Sequence, residues 1–199
     1  MFEALKDFFH QIEEAKRRDA EELHFDGSGF MRRIYGLENT PDYMFDEEER
    51  RHDPLTGFYT PTAFKELMVQ EIAAARRYEI PLSILAIEAQ NPAHPPEDSM
   101  EYREGMHAIA RHFKDTFRSA DLLFRWGREL FVVVMPHTDV QGAEIAARKL
   151  QESLCQYDVC PICHWHAISY QGEEDVAELT RRLLKKVLAH VETHARQEI

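Results

Sequence analysis

The sequence predicts an α/β (α+β) sandwich with a mixed central sheet, flanking helices and an N-terminal helical extension. From residue 53 onward, helix-like and strand-like patterns alternate as helix, strand, helix, hairpin, helix, strand and helix. The 199 residues are 44% hydrophobic and 30% charged, which is ordinary for one globular domain with its own core. No internal repeat is visible.

The N-terminal segment is the most acidic part of the chain. Residues 1–52 hold 8 Lys and Arg against 14 Asp and Glu, a balance of −6. Apolar residues at helical spacing predict an amphipathic helix over about 2–23. We therefore expect a helix and linker over 1–52, a main domain over 53–192 and a tail over 193–199.

The first half of the main domain predicts two helices around one strand. A proline opens the apolar pattern of 61–78, as at many helix starts. The apolar run 82–87 predicts a buried strand, and the three prolines within 91–98 predict a loop. Helical spacing returns over about 100–117.

The second half begins with a hairpin, because two β-rich runs flank a short glycine-containing turn. The remaining patterns predict one more strand between two helices. The predicted elements are strands 122–125 and 130–135 around turn 126–129, helix 141–154, strand 162–170 and helix 176–191.

Charge and composition exclude several classes of protein. The net charge of −12 disfavours binding to a nucleic acid polymer or an anionic lipid surface. No window of eighteen apolar residues predicts membrane insertion, and residues 1–7 lack the pattern of a secretory signal. We therefore expect a cytoplasmic protein. Three cysteines are too few for a disulfide scaffold.

Three local motifs, in this order of elements, resemble the GGDEF (diguanylate cyclase) family. Residues 53–58, DPLTGF, are similar to the family's D-x-L-T-G-L opening. Glu88 stands at a strand end where the family has its first metal-binding acid. Residues 125–136, RWGRELFVVVMP, are similar to R-Y-G-G-D-E-F-V-V-L-L-P. The resemblance covers about residues 53–192 and implies a palm-like cyclase fold.

The departures from the family pattern predict a degenerate domain that is not an enzyme. Arg128 replaces the second glycine of the hairpin, where the family needs close approach of phosphates and a permissive backbone. Leu130 replaces the following acid, and residues 91–98 lack the polar residues that grip guanine. Glu88 and Glu129 are then remnants. We expect no catalytic residue, no metal ligand and no cofactor, with Mg²⁺ unfavoured.

The resemblance also implies a second nucleotide site, which this chain retains. Arg118 and Asp121 form an R-x-x-D motif five residues before Gly127, the register at which family members bind cyclic di-GMP. A guanidinium offers guanine O6 and N7 a planar donor fork, and a carboxylate accepts from N1–H and N2–H. Arg148 and Lys149, on the helix after the hairpin, are the expected further cations.

A zinc site is the other constellation considered. Residues 160–163, CPIC, have the spacing of a zinc half-site, and His190 with His194 is the one candidate for the other half. His164 and His166 share one face of a strand without a cysteine between them. We favour a plain strand with a neighbouring loop.

The expected function is that of an inactive cyclic di-GMP receptor that signals to an unidentified protein partner, with residues 1–52 as the relay or the element of a homodimer. Two alternatives remain. One is an interaction scaffold without a nucleotide ligand, and the other is a weak residual diguanylate cyclase.

Overall fold

The computed structural model describes residues 51–156, 162–183 and 186. The helix expected over 2–23 and the tail over 193–199 lie outside the described residues, so the domain boundaries stay predictions.

Seven named elements follow each other in the expected order. Their bounds agree with the sequence patterns to within one residue, except that β1 continues three residues beyond its apolar run. Strand β1 is longer because it pairs with β4 at this end, where Ala89 and Gln90 are opposite Cys163 and Ile162. Residues 176–183 are also helical. The helices are α1 (Pro61–Tyr78), α2 (Met100–Thr116) and α3 (Val140–Leu154), and the strands are β1 (Leu82–Gln90), β2 (Leu122–Arg125), β3 (Leu130–Pro136) and β4 (Ile162–Ser169).

The four strands form one sheet in the order β2-β3-β1-β4. The α/β fold class is confirmed, but the expected mixed pairing is corrected: every ladder between these strands is antiparallel. The reason is that each helical crossover skips one place in the sheet. Strands β1 and β2 run in the same direction with β3 between them, and β3 and β4 do so with β1 between them.

Helices cover both faces of the sheet. Leu85, Ile87 and Phe131 pack with α2 and α3 in one apolar cluster. The opposite face carries Phe124, whose ring centroid lies 5.1 Å from that of Phe64 on α1. The alternation of strand side chains therefore produces two apolar layers, with α1 on one side and α2 and α3 on the other.

A short segment before α1 pairs with the outer side of the edge strand β2. Tyr59 donates its backbone N–H to the Leu123 carbonyl at 2.8 Å and accepts from the Arg125 N–H at 2.9 Å. This bridge between Tyr59 and Phe124 is parallel. It places residues 57–59 beside the start of β2.

A buried ion pair joins the start of the main domain to the hairpin. Arg125 Nη1 lies 2.9 Å from Asp53 Oδ2, and the two side chains are 3% and 0% exposed. The other carboxylate oxygen of Asp53 accepts from Thr56 N at 2.8 Å and Thr56 Oγ1 at 2.6 Å. Arg125 also donates to Tyr102 Oη at 2.8 Å. The D-x-L-T-G motif is therefore a structural turn that supplies the counter-charge of Arg125.

We expect Arg125→Met to lower the free energy of unfolding by about 3–5 kcal/mol, because it leaves Asp53 buried without its cation. Urea unfolding measures the change. Arg51→Met is the matched control: its pair with Glu66 at 2.8 Å is much more exposed and contributes about 0–1 kcal/mol. Equal losses in the two variants would contradict the structural role of Arg125.

Candidate functional site

The R-x-x-D motif forms a closed turn between α2 and β2. Asp121 N donates to the Arg118 carbonyl at 3.0 Å, and Arg118 N donates to Asp121 Oδ2 at 2.8 Å. The helix ends just before, where Phe117 N donates to the Phe113 carbonyl. The aspartate therefore caps the turn through its side chain and fixes the backbone from which Arg118 projects.

A cavity of about 420 Å³ lies against this turn. Its wall combines two cations, one carboxylate and several rings. It is built from the end of α2, the turn 118–121, the start of β2 and the segment before α1. The lining includes His52, Tyr59, Lys114, Phe117, Arg118 and Asp121.

The two cations of this cavity differ in their surroundings. Arg118 is exposed, and its guanidinium has no ion pair within 4.0 Å among the residues that the structure describes, Asp121 included. Lys114 Nζ lies 5.7 Å from the ring centroid of Phe58. It also approaches Gly57, whose φ of 71° favours glycine. Both cations remain open to an anionic ligand.

Sequence reasoning missed Lys114. The signal was available, because Lys114 stands four residues before Arg118 and both residues belong to the C-terminal end of one helix and its following turn. The family resemblance instead implied that the further cations were Arg148 and Lys149, on the helix after the hairpin.

Arg148 and Lys149 lie elsewhere. They are on α3 and do not line the cavity. Arg148 pairs with Glu144 at 3.1 Å, and its guanidinium carbon lies 5.9 Å from the Trp165 ring centroid. The structure thus brings Arg118 and Asp121 together but does not bring Arg148 or Lys149 to them, and a ligand role for these two stays a prediction.

Burial raises the pKa of Asp121 above its ordinary value of 3.8, while the Arg118 backbone N–H and the Arg118 charge oppose the shift. Asp121 is only 8% exposed. Its carboxylate accepts the Arg118 backbone N–H within the turn, so we interpret Asp121 as a residue that positions Arg118.

A second candidate site lies at the hairpin. Glu88 is opposite Leu130 in the β1–β3 ladder, and Ala89 N donates to the Glu129 carbonyl at 2.9 Å. The two glutamates therefore sit on neighbouring chain segments at one end of the sheet. Glu129 is 1% exposed, and its Oε1 has no hydrogen bond within the described part of the chain.

These carboxylates fit a hard divalent cation. Mg²⁺ takes oxygen ligands and is commonly held by one or two carboxylates together with water and substrate phosphates. A buried carboxylate oxygen without a hydrogen bond is costly unless a cation meets it, and Arg128 Nε, at 3.7 Å from Glu129 Oε1, compensates its charge without a hydrogen bond. The described residues contain no cluster of three or more His, Cys, Asp or Glu side chains that could hold a metal. Glu88 and Glu129 are candidate ligands for such an ion.

The zinc alternative cannot be built within the described residues. Cys163 is buried on β4, opposite Ala89. Cys160, His190 and His194 lie outside the described residues.

Within the part of the chain that the structure describes, every helix is too short or too polar to span a lipid bilayer.

Known proteins resemble this chain in sequence and in fold. The family model "Diguanylate cyclase, GGDEF domain" matches residues 104–160. The diguanylate cyclase DgcM of Escherichia coli is 26% identical over 148 residues, which are 69% of this chain and 35% of DgcM. The chain therefore spans about a third of that relative.

Two solved structures share the fold. The GGDEF domain of DgcB from Caulobacter crescentus, in complex with c-di-GMP, superposes with a TM-score of 0.63 at 11% identity, over 75% of this chain and 94% of the DgcB chain. The diguanylate cyclase SiaD of Pseudomonas aeruginosa, in complex with its activator SiaC, gives 0.60 at 18% identity, over 96% of this chain and 72% of SiaD. Together they confirm that this chain has the α+β fold of GGDEF domains.

The expectation that the chain is not an enzyme is wrong in the light of these matches, because the curated relatives that it matches are named diguanylate cyclases and nothing in the described residues shows inactivity. One reason for that expectation was Arg128 in place of the second hairpin glycine, and this replacement does not strain the backbone. Arg128 is not among the described residues with positive φ, so the hairpin accepts a side chain there without backbone strain.

We expect the stability difference between the wild type and Asp121→Asn to depend on pH. Asparagine keeps a capping oxygen but cannot ionise. As the pH rises through 3.8, the unfolded wild type loses the proton of Asp121 before the folded state does, because the folded pKa is raised. The wild type therefore loses stability relative to the variant from that pH upward, until the folded pKa is passed.

Urea unfolding of both proteins across this range measures the difference. Parallel pH profiles would contradict the raised pKa.

Proposed function

We propose that this GGDEF domain binds cyclic di-GMP in the cavity lined by Lys114, Arg118 and Asp121. The observation that carries the proposal is the exposed guanidinium of Arg118. It stands on a turn locked by Asp121, at a cavity of about 420 Å³ and beside a second cation.

The chemistry of the lining suits a cyclic dinucleotide. Arg118 can donate two parallel hydrogen bonds to guanine O6 and N7, and Lys114 can hold a phosphate as a point charge. The half-buried ring of Tyr59 lines the same cavity and offers a surface for base stacking. The volume falls in the range of about 300–1,000 Å³ that is typical of small-molecule sites.

The receptor role is the second part of the proposal. Binding at the turn 118–121 would alter how the domain meets a protein partner, with residues 1–52 as the relay or as the contact of a homodimer. The DgcB complex with c-di-GMP and the SiaD complex with SiaC support both parts by analogy of fold.

A calorimetric titration with cyclic di-GMP tests the binding. We expect saturable binding by the wild type. Arg118→Ala should weaken it by about 1–3 kcal/mol, a factor of roughly 5 to 150, because one guanine edge loses its donor fork. Lys114→Ala should weaken it through the lost phosphate contact and should make it less dependent on salt.

Arg148→Ala is the matched control, since it removes an exposed arginine outside the cavity. If Arg148→Ala or Lys149→Ala abolished binding while Arg118→Ala did not, the ligand would lie at α3 rather than in this cavity. If the wild type showed no heat of binding with cyclic di-GMP, the proposal would be wrong, and the alternative of an interaction scaffold without a nucleotide ligand would be favoured.

A second function, diguanylate cyclase activity, is favoured by one separate observation: the buried Oε1 of Glu129 that lacks a hydrogen bond in the described residues. We propose that Glu88 and Glu129 hold a divalent cation together with the phosphates of GTP. The cation, when bound, would neutralise phosphate charge as a 3′-hydroxyl attacks. Glu129, fixed at the turn, would orient it.

Incubation with GTP and Mg²⁺ or Mn²⁺, followed by chromatography of the nucleotides, tests this activity. We expect formation of cyclic di-GMP, and a loss of about a hundredfold or more in Glu129→Gln, because the amide removes the anionic ligand. Glu144→Gln, on an exposed face of α3, is the control and should retain the wild-type rate. Product formation unaffected by Glu129→Gln would contradict the assignment.

A further inference from the structure

The side chain of Arg128 lies beside the buried carboxylate of Glu129. Arg128 Nε is 3.7 Å from Glu129 Oε1, which is within the range of an ion pair but too far for a hydrogen bond. From this geometry we infer that Arg128 is a positioning residue that sets the affinity of Glu129 for a divalent cation. The inference rests on the proposed cation site at Glu88 and Glu129.

Arg128 is held in this position by groups other than Glu129. Its guanidinium carbon lies 4.9 Å from the ring centroid of Tyr102, and Nη1 lies 3.6 Å from Glu97 Oε1. Nη2 donates to the Pro95 carbonyl. The side chain thus bridges the hairpin to the loop 91–98.

Tyr102, which contacts the Arg128 side chain, is itself buried and hydrogen-bonded. Tyr102 is 3% exposed, accepts from Arg125 Nη2 and donates to the Arg128 carbonyl at 2.9 Å. Tyr102 therefore fixes both the backbone and the guanidinium of Arg128. The ion pair of Arg125 with Asp53 holds Tyr102 in turn.

This arrangement makes the guanidinium a fixed competitor of a divalent cation. Both positive groups are attracted to the same carboxylate oxygen, and at short range in a poorly solvated site they repel each other. The guanidinium also contacts Glu97 and the Pro95 carbonyl. A cation that binds Glu129 can therefore displace Arg128 from this carboxylate without breaking all its other contacts. Cation affinity is then lower than two glutamates alone would give.

Titration of the purified protein with Mn²⁺ alone, in the absence of nucleotide, tests the inference. Free Mn²⁺ is counted by electron paramagnetic resonance. We expect Arg128→Met, which keeps the apolar stem over Tyr102 but removes the charge, to bind Mn²⁺ about tenfold more tightly than the wild type or better. Arg128→Lys keeps a charge and should remain near the wild-type affinity.

The controls separate this inference from the site on which it rests. Arg148→Met removes a distant exposed charge and should leave the affinity unchanged. Glu129→Gln in the Arg128→Met background should abolish the tight binding. Equal Mn²⁺ affinities in the wild type and Arg128→Met, with binding still lost in Glu129→Gln, would overturn the role of Arg128 alone. No binding in any variant would overturn the cation site as well.

Discussion

The buried pair of Asp53 and Arg125 is the interaction on which both candidate sites depend. An arginine in the core needs a counter-charge and partners for its other donors. Asp53, Tyr102 and the Gly127 carbonyl supply them, the last accepting from Nε at 3.2 Å. These contacts tie the start of the main domain, α2 and the hairpin together at one point.

From that point the structure extends in two directions. Arg125 is the last residue of β2 and Asp121 directly precedes its first, so the ion pair and the cap of the 118–121 turn lie at opposite ends of one short strand. Helix α2 also runs from one region to the other, with Tyr102 in its first turn and Lys114 in its last. A helix of 17 residues is about 25 Å long. The cavity beside Arg118 and the hairpin site are therefore joined by two regular elements rather than by loops.

Much of the fold could be predicted because the elements carry strong local patterns. Pro61 opens α1, and Ser99 caps α2 by accepting from Tyr102 N. The sheet pairing could not be read in the same way, because the order of strands depends on how far each crossover reaches. The position of the R-x-x-D turn was likewise predicted, since it sits between a helix and a strand. What the motif does there was not, because the capping bond of Asp121 depends on burial and turn geometry. Lys149 stood nearest the expected register along the chain, but neither it nor Arg148 lines the cavity.

Tyr59 has a further consequence through its backbone. A strand at the side of a sheet exposes unpaired N–H and C=O groups, and another chain can add to them as an extra strand. The Tyr59 N–H and carbonyl satisfy Leu123 and Arg125 on β2, and the Tyr59 ring lies against Phe124 with centroids 5.4 Å apart. The same short segment that helps to line the cavity beside Arg118 thus occupies backbone groups of β2 with which a neighbouring molecule could otherwise pair. One stretch of backbone therefore both forms part of the cavity wall and hinders the addition of another strand at this edge of the sheet.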